Sequence, residues 1–518
     1  MSALLLASAF SGIFLALVFP PWRIDLLVWL ALVPLLWSIR SSRNFQQAAY
    51  CGWVSGFFFF LIDLRWIYDT LTIHGHFSTY ISGAISLLLT AGMAMGTAFF
   101  CGFSRFVHNA GIPYWIIFPV NWIGVEFART FLFSGFPWDL LGYSLSERSN
   151  LIQVVDITGV YGLSFLIVFV NNAILETLVN RKTSFTSVAT QLIFAVVMIA
   201  GCTVYGWTRI SLYADQINES KTYTIGVLQG AISQDVKWND AYRSLTFRTY
   251  DELAKESVLN GANLLIWPET SIPVVIGGED LAWMDAINIS RNLNTPMLIG
   301  APSQTDSKGQ INYYNSAFLV DGSEILSAYD KIHLVPFGEY MPLSWLIPLG
   351  PGMAAREADF TPGAVMTVMS HPTIPSFSVL ICYEAIFPAL SRIAINNGAR
   401  FLVNITNDGW FDMTAAPAQH LSMAKFRAVE NRVWLLRSAN TGISAAVDPV
   451  GRIVNSIPLG QSGWMNVNMP QPTGVGSFYT KFGDVFALSC IIIMALTFFW
   501  AALHNMKFKG IRYDTIRH

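Results

Sequence analysis

Three short segments of this 518-residue chain each carry a reactive side chain just after an apolar, strand-like run. They are Trp267-Pro268-Glu269-Thr270, the stretch 329–339 that holds Lys331, His333 and Glu339, and Leu380-Ile381-Cys382-Tyr383-Glu384. Active sites in α/β sheets are built at such strand ends. Glu269, Lys331 and Cys382 together make a consistent nucleophilic set. A carboxylate takes the thiol proton, the thiolate attacks a carbonyl carbon, and an ammonium stabilises the resulting oxyanion. The ammonium also favours the ionised thiol. Singly, each residue has an ordinary explanation: a buried thiol, a helix-start carboxylate, a solvated strand charge. Glu339 and Glu384 are candidates to orient Lys331 or an incoming amine by charge-assisted hydrogen bonds. His333 should share the strand direction of Lys331 and pack beside the site. Unaided, this chemistry is Cys-dependent acyl transfer or amide hydrolysis.

The elements that position these residues alternate between short β-branched apolar runs and longer helical ones. Strands are expected at 223–228, 263–267, 296–300, 316–320, 377–382, 401–405 and 442–447. Helices are expected at about 239–259, 279–293, 385–397 and 416–435, with hairpin turns at Asp321-Gly322 and Pro449-Val450-Gly451. This predicts an α/β domain over 221–470 with interior sheet strands.

Composition excludes an ordinary soluble enzyme. Charged residues are 12% of the chain, against about 25% in soluble proteins, and hydrophobic residues are 53%. A formal charge of -2 gives no field that favours nucleic acid. Of the 64 Lys, Arg, Asp and Glu, 39 fall in residues 211–475, so the middle of the chain faces water. Cys51, Cys101, Cys202 and Cys490 lie in apolar runs as small hydrophobes, which leaves Cys382 alone in the water-facing part. The eight histidines show no paired metal spacing, and no metal or other cofactor is implied.

Apolar stretches near spanning length occur at about 3–20, 24–40, 49–68, 79–103, 113–131, 157–179, 188–208 and 483–504. They predict a multi-pass α-helical membrane domain of about eight transmembrane helices: seven in 1–210, the eighth at 483–504, and a tail at 505–518. The first stretch runs into Phe19-Pro20-Pro21 rather than a small-residue cleavage site, as a retained span does. With the N-terminus inside, the cytoplasmic segments hold Arg40, Arg43, Arg105, Arg181, Lys182, Lys507, Lys509, Arg512 and Arg517, and the opposite ones only Arg23, Arg65, Arg129 and Arg148. The middle domain is then periplasmic in a bacterium, and both termini are cytoplasmic. Glu126, Arg129, Asp139, Asp156, Asn171 and Asn172 lie in or beside spans, where polar residues are functional candidates. The proline-broken apolar run at 341–351 reads as a loop dipping toward lipid, with 272–276 and 410–417 flanking the same mouth.

Glu269, Lys331 and Cys382, spaced 62 and then 51 residues apart, resemble the Glu-Lys-Cys triad of the carbon-nitrogen hydrolase (nitrilase) superfamily. That resemblance implies an α-β-β-α sandwich. With the flanking spans, the whole chain resembles the membrane-bound acyltransferase branch of the superfamily that matures bacterial lipoproteins. Matching segments include Phe136-Pro137-Trp138, Gly159 to Phe165, Leu228-Gln229-Gly230 with Lys237-Trp238, Asn404 to Phe411, Gln419-His420 and Arg437 to Gly442. The resemblance implies Cys382 as nucleophile, Glu269 as general base and Lys331 as oxyanion stabiliser, with Glu339, Tyr383, Glu384 and Trp238 in support. It implies transfer of an acyl chain from a phospholipid donor, through a Cys thioester, to the α-amino group of the N-terminal S-diacylglyceryl-cysteine of an apolipoprotein acceptor. The expected setting is the bacterial inner membrane, and the expected working form a monomer. The alternative is a membrane-anchored amidase or nitrilase that hydrolyses a small amide.

Overall fold

The computed structural model describes residues 1–180, 185–217, 221–233, 240–307, 309–341, 359–472 and 476–514. It divides into two compact units, Met1–Thr208 with Asp484–His518, and Arg209–Gly483.

The first unit is helical. Among the described residues, five helices are long and apolar enough to cross a membrane: Phe45–Asp63, Thr79–His108, Val160–Val179, Phe185–Asp215 and Val485–His504. Two other expected spans form shorter helices, Ser2–Leu17 and Tyr114–Arg129. The stretch expected to span at 24–40 is broken into a 3-10 turn, Asp25–Leu27, and two helices, Val28–Ala31 and Val33–Ser41. Pro34 has no N–H to continue the ladder. The bond that a continuous helix would make from Leu32 N to Val28 O is replaced by an inserted amide. Leu32 N donates to Asn171 Oδ1 at 2.9 Å, and Asn171 Nδ2 donates to Val28 O at 2.9 Å. The other polar candidates of this unit also find partners inside it. Glu126 Oε1 accepts from Trp122 Nε1 and Leu141 N, both at 2.8 Å, and Arg129 Nη2 donates to Trp138 O at 2.8 Å. Tyr205 OH donates to Asp156 at 2.9 Å, and Asn172 Nδ2 to Gln191 Oε1 at 2.9 Å.

The second unit is an α/β fold of two six-stranded sheets. The first holds β1 (Thr222–Gln229), β2 (Leu264–Ile266), β3 (Met297–Ser307), β4 (Gln310–Asp321), β5 (Glu324–Asp330) and β12 (Gly463–Pro470), in the order β12-β1-β2-β3-β4-β5. The second holds β6 (Met369–His371), β7 (Ile374–Ile381), β8 (Phe401–Thr406), β9 (Leu435–Ala439), β10 (Ser444–Val447) and β11 (Ile453–Ile457), in the order β11-β10-β9-β8-β7-β6. The central pairs β1/β2, β2/β3, β7/β8 and β8/β9 are parallel. Their strands are apolar runs with little alternation, as parallel strands covered on both faces must be. Helices Asp240–Leu259, Trp283–Leu293, Pro388–Asn396 and Ala416–Asn431 make the crossovers. Beside the first sheet, Leu228, Leu265, Trp267, Ile299 and Phe318 pack with Phe247, Tyr250, Ala254 and Ile287 from two of those helices. The sheets meet through polar pairs: Ser438 Oγ donates to Leu228 O at 2.7 Å, and Ser444 N to Gln229 Oε1 at 3.1 Å.

The expected strands are present, and Asp321-Gly322 turns β4 into β5, with Gly322 at φ 58°. β5, β6, β9, β11 and β12 were not expected, and the helix expected at 416–435 stops at Asn431, before β9 begins at Leu435. β11 is exposed at all but its last residue, and such edge strands carry no buried stripe for a sequence to display. The strand expected at 377–382 stops one residue early, at Ile381.

Candidate active site

The strand stops because Cys382 takes φ 52°, a left-handed conformation uncommon outside glycine. It starts a 3-10 turn, Cys382–Ile386, at the carboxyl end of β7. Glu384 ties this turn to the end of β5. Its Oε2 accepts from Ile381 N at 2.7 Å, and its Oε1 accepts from Tyr329 OH at 2.8 Å, Ile332 N at 2.8 Å and His333 N at 3.1 Å. Its hydrogen bonds therefore hold the two backbones and not the Lys331 ammonium. Burial pushes the Glu384 carboxyl up to about 7 against those donors and the nearby Lys331 charge. The buried Tyr383 ring lies 5.7 Å from His333 and 5.0 Å from Phe387, and His333 lies 3.8 Å from Phe387.

Glu269 follows β2 across Trp267-Pro268, where the chain runs against β3 at Gly300. A Cβ there would fall 2.6 Å from Pro268 O and 2.8 Å from Glu269 Cα, so the close approach requires glycine. Glu269 Oε2 accepts from Asn407 N at 2.7 Å and Oε1 from Asn315 Nδ2 at 2.7 Å. Asn315 Nδ2 also reaches Glu339 Oε1 at 2.7 Å, so one amide spans both carboxylates. Lys331 is placed by its backbone, whose N–H donates to Asn315 O at 2.8 Å. Its Nζ donates to Glu339 Oε1 at 2.8 Å and lies 3.6 Å from Glu269 Oε1. Val335 N donates to Glu339 Oε2 at 2.7 Å and fixes that carboxylate's other oxygen.

The side chains of Glu269, Asn315, Lys331, Glu339, Cys382, Tyr383 and Glu384 are buried, and His333 is half-buried. Burial works against the Lys331 charge, but Glu339, Glu269 and Cys382 together hold its ammonium well above the ordinary lysine range. Burial and the Glu269 charge push the Cys382 thiol well up, with Lys331 opposing. The resting arrangement is thus a neutral thiol beside an anionic carboxylate and a permanently charged ammonium. Such a set can deprotonate the sulfur during attack and stabilise the oxyanion formed.

Glu269, Lys331, Cys382, Glu339, Tyr383 and Glu384 therefore meet in one cluster. Trp238 lies outside the described residues, as does the 341–351 loop from 342 onward. The sequence reading gave no role to Asn315 and Asn407, or to the group His420, Asp408 and Arg437. Nothing in the sequence marked Asn315, which shares β4 with Gln310, Asn312 and Ser316. For the others the signal was two buried charges and an imidazole in runs with no water-facing alternation.

Residues 11–173 match the family described as "Apolipoprotein N-acyltransferase N-terminal domain", and residues 224–473 match "Carbon-nitrogen hydrolase". The apolipoprotein N-acyltransferase of Geobacter metallireducens is 36% identical over 512 residues, 96% of each chain. The chain belongs to the apolipoprotein N-acyltransferase family. Another member, from Brucella melitensis, is 32% identical over 90% of each chain. An amidase from Nesterenkonia sp. is similar to 52% of this apolipoprotein N-acyltransferase family member and 94% of its own chain, at 21% identity and a TM-score of 0.37. Family membership makes the chain an enzyme of the carbon-nitrogen hydrolase superfamily, and its apolar helices fit a membrane protein.

Proposed function

We propose that this chain is a phospholipid-dependent apolipoprotein N-acyltransferase of the bacterial inner membrane, working by a two-step exchange on Cys382. The observation that supports it most is the buried cluster in which Glu339 and Glu269 bracket the Lys331 ammonium beside a neutral Cys382 thiol.

In the first step Glu269 takes the thiol proton as Cys382 Sγ attacks the ester carbonyl of a phospholipid. Lys331 stabilises the tetrahedral oxyanion, which collapses to a thioester and expels a lysophospholipid alkoxide that recovers the proton from Glu269. In the second step the α-amino group of a diacylglyceryl-cysteine attacks the thioester and gives its proton to Glu269. The thiolate leaves and is reprotonated, which restores the enzyme and releases the triacylated apolipoprotein. No cofactor takes part. Glu339 holds Lys331, Glu384 holds the backbone on both sides of the site, and Tyr383 packs beside it. Trp238 keeps its supporting role on resemblance alone. Transfer outruns hydrolysis when water is kept from the thioester.

The excess of Arg and Lys in alternate loops supports a periplasmic catalytic unit with both termini cytoplasmic. The protein works as a monomer. The test is incubation of the purified protein with a phospholipid and a synthetic diacylated lipopeptide. The expected result is a lipopeptide heavier by one acyl group on its amine. Hydrolysis of small amides with no such product overturns the reading in favour of a membrane-anchored amidase.

A further inference from the structure

A second polar cluster meets Cys382 through its backbone. His420, from the helix Ala416–Asn431 and 1% exposed, places Nε2 3.1 Å from the carbonyl oxygen of Cys382. Its Nδ1 lies 3.1 Å from Arg437 Nη2 and 3.2 Å from Asp408 Oδ1. Arg437 Nη2 also donates to Asp408 Oδ2 at 2.6 Å, its Nη1 donates to Asn404 Oδ1, and Thr406 Oγ1 donates to Asp408 Oδ1 at 2.9 Å.

A carbonyl only accepts, so Nε2 carries a hydrogen and donates it to Cys382 O. Nδ1 lies between a donor, Arg437 Nη2, and an acceptor, Asp408 Oδ1, so a second proton there would meet the Arg437 cation on one side and the Asp408 carboxylate on the other. In keeping with this, burial and the Arg437 charge hold the imidazole below its ordinary range, against Asp408. Asp408 stays ionised: Arg437, His420 and Thr406 outweigh its burial and hold its carboxyl below the usual range.

The held carbonyl belongs to the residue at φ 52°, and its peptide also carries the Tyr383 N–H. Arg427 Nη1 donates to Ile386 O at 2.9 Å and pins the far end of the same turn. Resting on the assignment of Cys382 as nucleophile, we infer that His420 is a positioning residue for acylation. Its Nε2–H, presented by Arg437 and Asp408, fixes the Cys382 peptide in its left-handed conformation and with it the direction of the thiol.

The test is single-turnover acylation by a defined phospholipid, with the Cys382 adduct followed by intact-protein mass spectrometry and rates taken per folded molecule. Gln carries its amide nitrogen as many bonds from Cα as His carries Nε2, whereas Asn reaches only as far as Nδ1. His420→Ala and His420→Asn should slow acylation by about tenfold or more, equivalent to ~1.4 kcal/mol, at unchanged half-saturating lipid. His420→Gln should recover to within about threefold. If His420→Ala does not accumulate in folded form, the comparison of Gln with Asn carries the test. A Gln variant as slow as Asn, or an Ala variant at the wild-type rate, overturns the positioning role while the Cys382 adduct still forms. A wild-type adduct that persists in Cys382→Ala removes the nucleophile assignment itself, and this role with it.

Discussion

The ammonium of Lys331 sits 2.8 Å from Glu339 Oε1, closer than its 3.6 Å to the Glu269 carboxylate. Glu339 thus anchors the cation, and Glu269 remains the carboxylate whose charge acts on the thiol. Removing one partner of a buried ion pair costs about 3–5 kcal/mol. Glu339→Ala should therefore lower the thermal midpoint sharply. Glu339→Gln keeps an acceptor for Lys331 and should lower it less, while slowing acylation by about 10- to 100-fold. Thermal unfolding paired with single-turnover rates checks both.

Glu384 gives a pH dependence with a definite sign. Its folded carboxyl is pushed up to about 7 from an ordinary 4.5. Below about pH 4.5 the carboxyl is protonated in both states and contributes no slope. Between about 4.5 and 7 the unfolded chain ionises while the folded chain keeps its proton, so this group's contribution to stability falls as pH rises, by about 1.4 kcal/mol per unit. Glu384→Gln has no such titration. The thermal midpoint of the variant, followed from pH 5 to 7, should therefore rise relative to that of wild type, whatever the offset between them.

In the proposed mechanism the proton leaves during attack, because burial and Glu269 push the Cys382 thiol well up. Glu269→Gln should slow acylation by about 100-fold or more. Raising the pH from 7 to 9 should not restore the rate, which a pH series of single-turnover measurements would read. Recovery at pH 9 would mean that a preformed thiolate suffices.

Gly300 lies outside the chemistry yet sets Glu269. A methyl group there collides with Pro268 O and Glu269 Cα. Gly300→Ala should shift Glu269, the proposed base, by a few tenths of an ångström and slow acylation by about tenfold or more, with Lys331 and Cys382 untouched. The comparison is the acylation rate against that of an alanine at Gly463, where the added carbon meets only the Ile457 side chain at an ordinary 3.8 Å.

The Glu and Cys segments stood out because each follows an apolar strand, β2 or β7, whereas Lys331 follows β5, a mostly exposed strand with no buried stripe to display. What holds all three was not legible. Asn315 acts by reaching two carboxylates that lie 46 and 24 positions away along the chain, a juxtaposition visible only when the first sheet is assembled. Glu384 looked like a partner for Lys331 because both are charged and neighbouring in role. Folding instead gives it four other donors from the ends of two strands. In the helical unit hydropathy found the long spans, but the apolar run at 24–40 carries no mark of its break except Pro34. The amide that fills it comes from Asn171, more than a hundred residues away.

The central claim is a thioester on Cys382, and intact-protein mass spectrometry after incubation with a phospholipid of defined acyl chains tests it most directly. The account predicts a mass gain of one acyl group, reversed by hydroxylamine, located on Cys382 and missing in Cys382→Ala. An unmodified wild-type protein that nevertheless acylates the lipopeptide, or an adduct retained by Cys382→Ala, would contradict it.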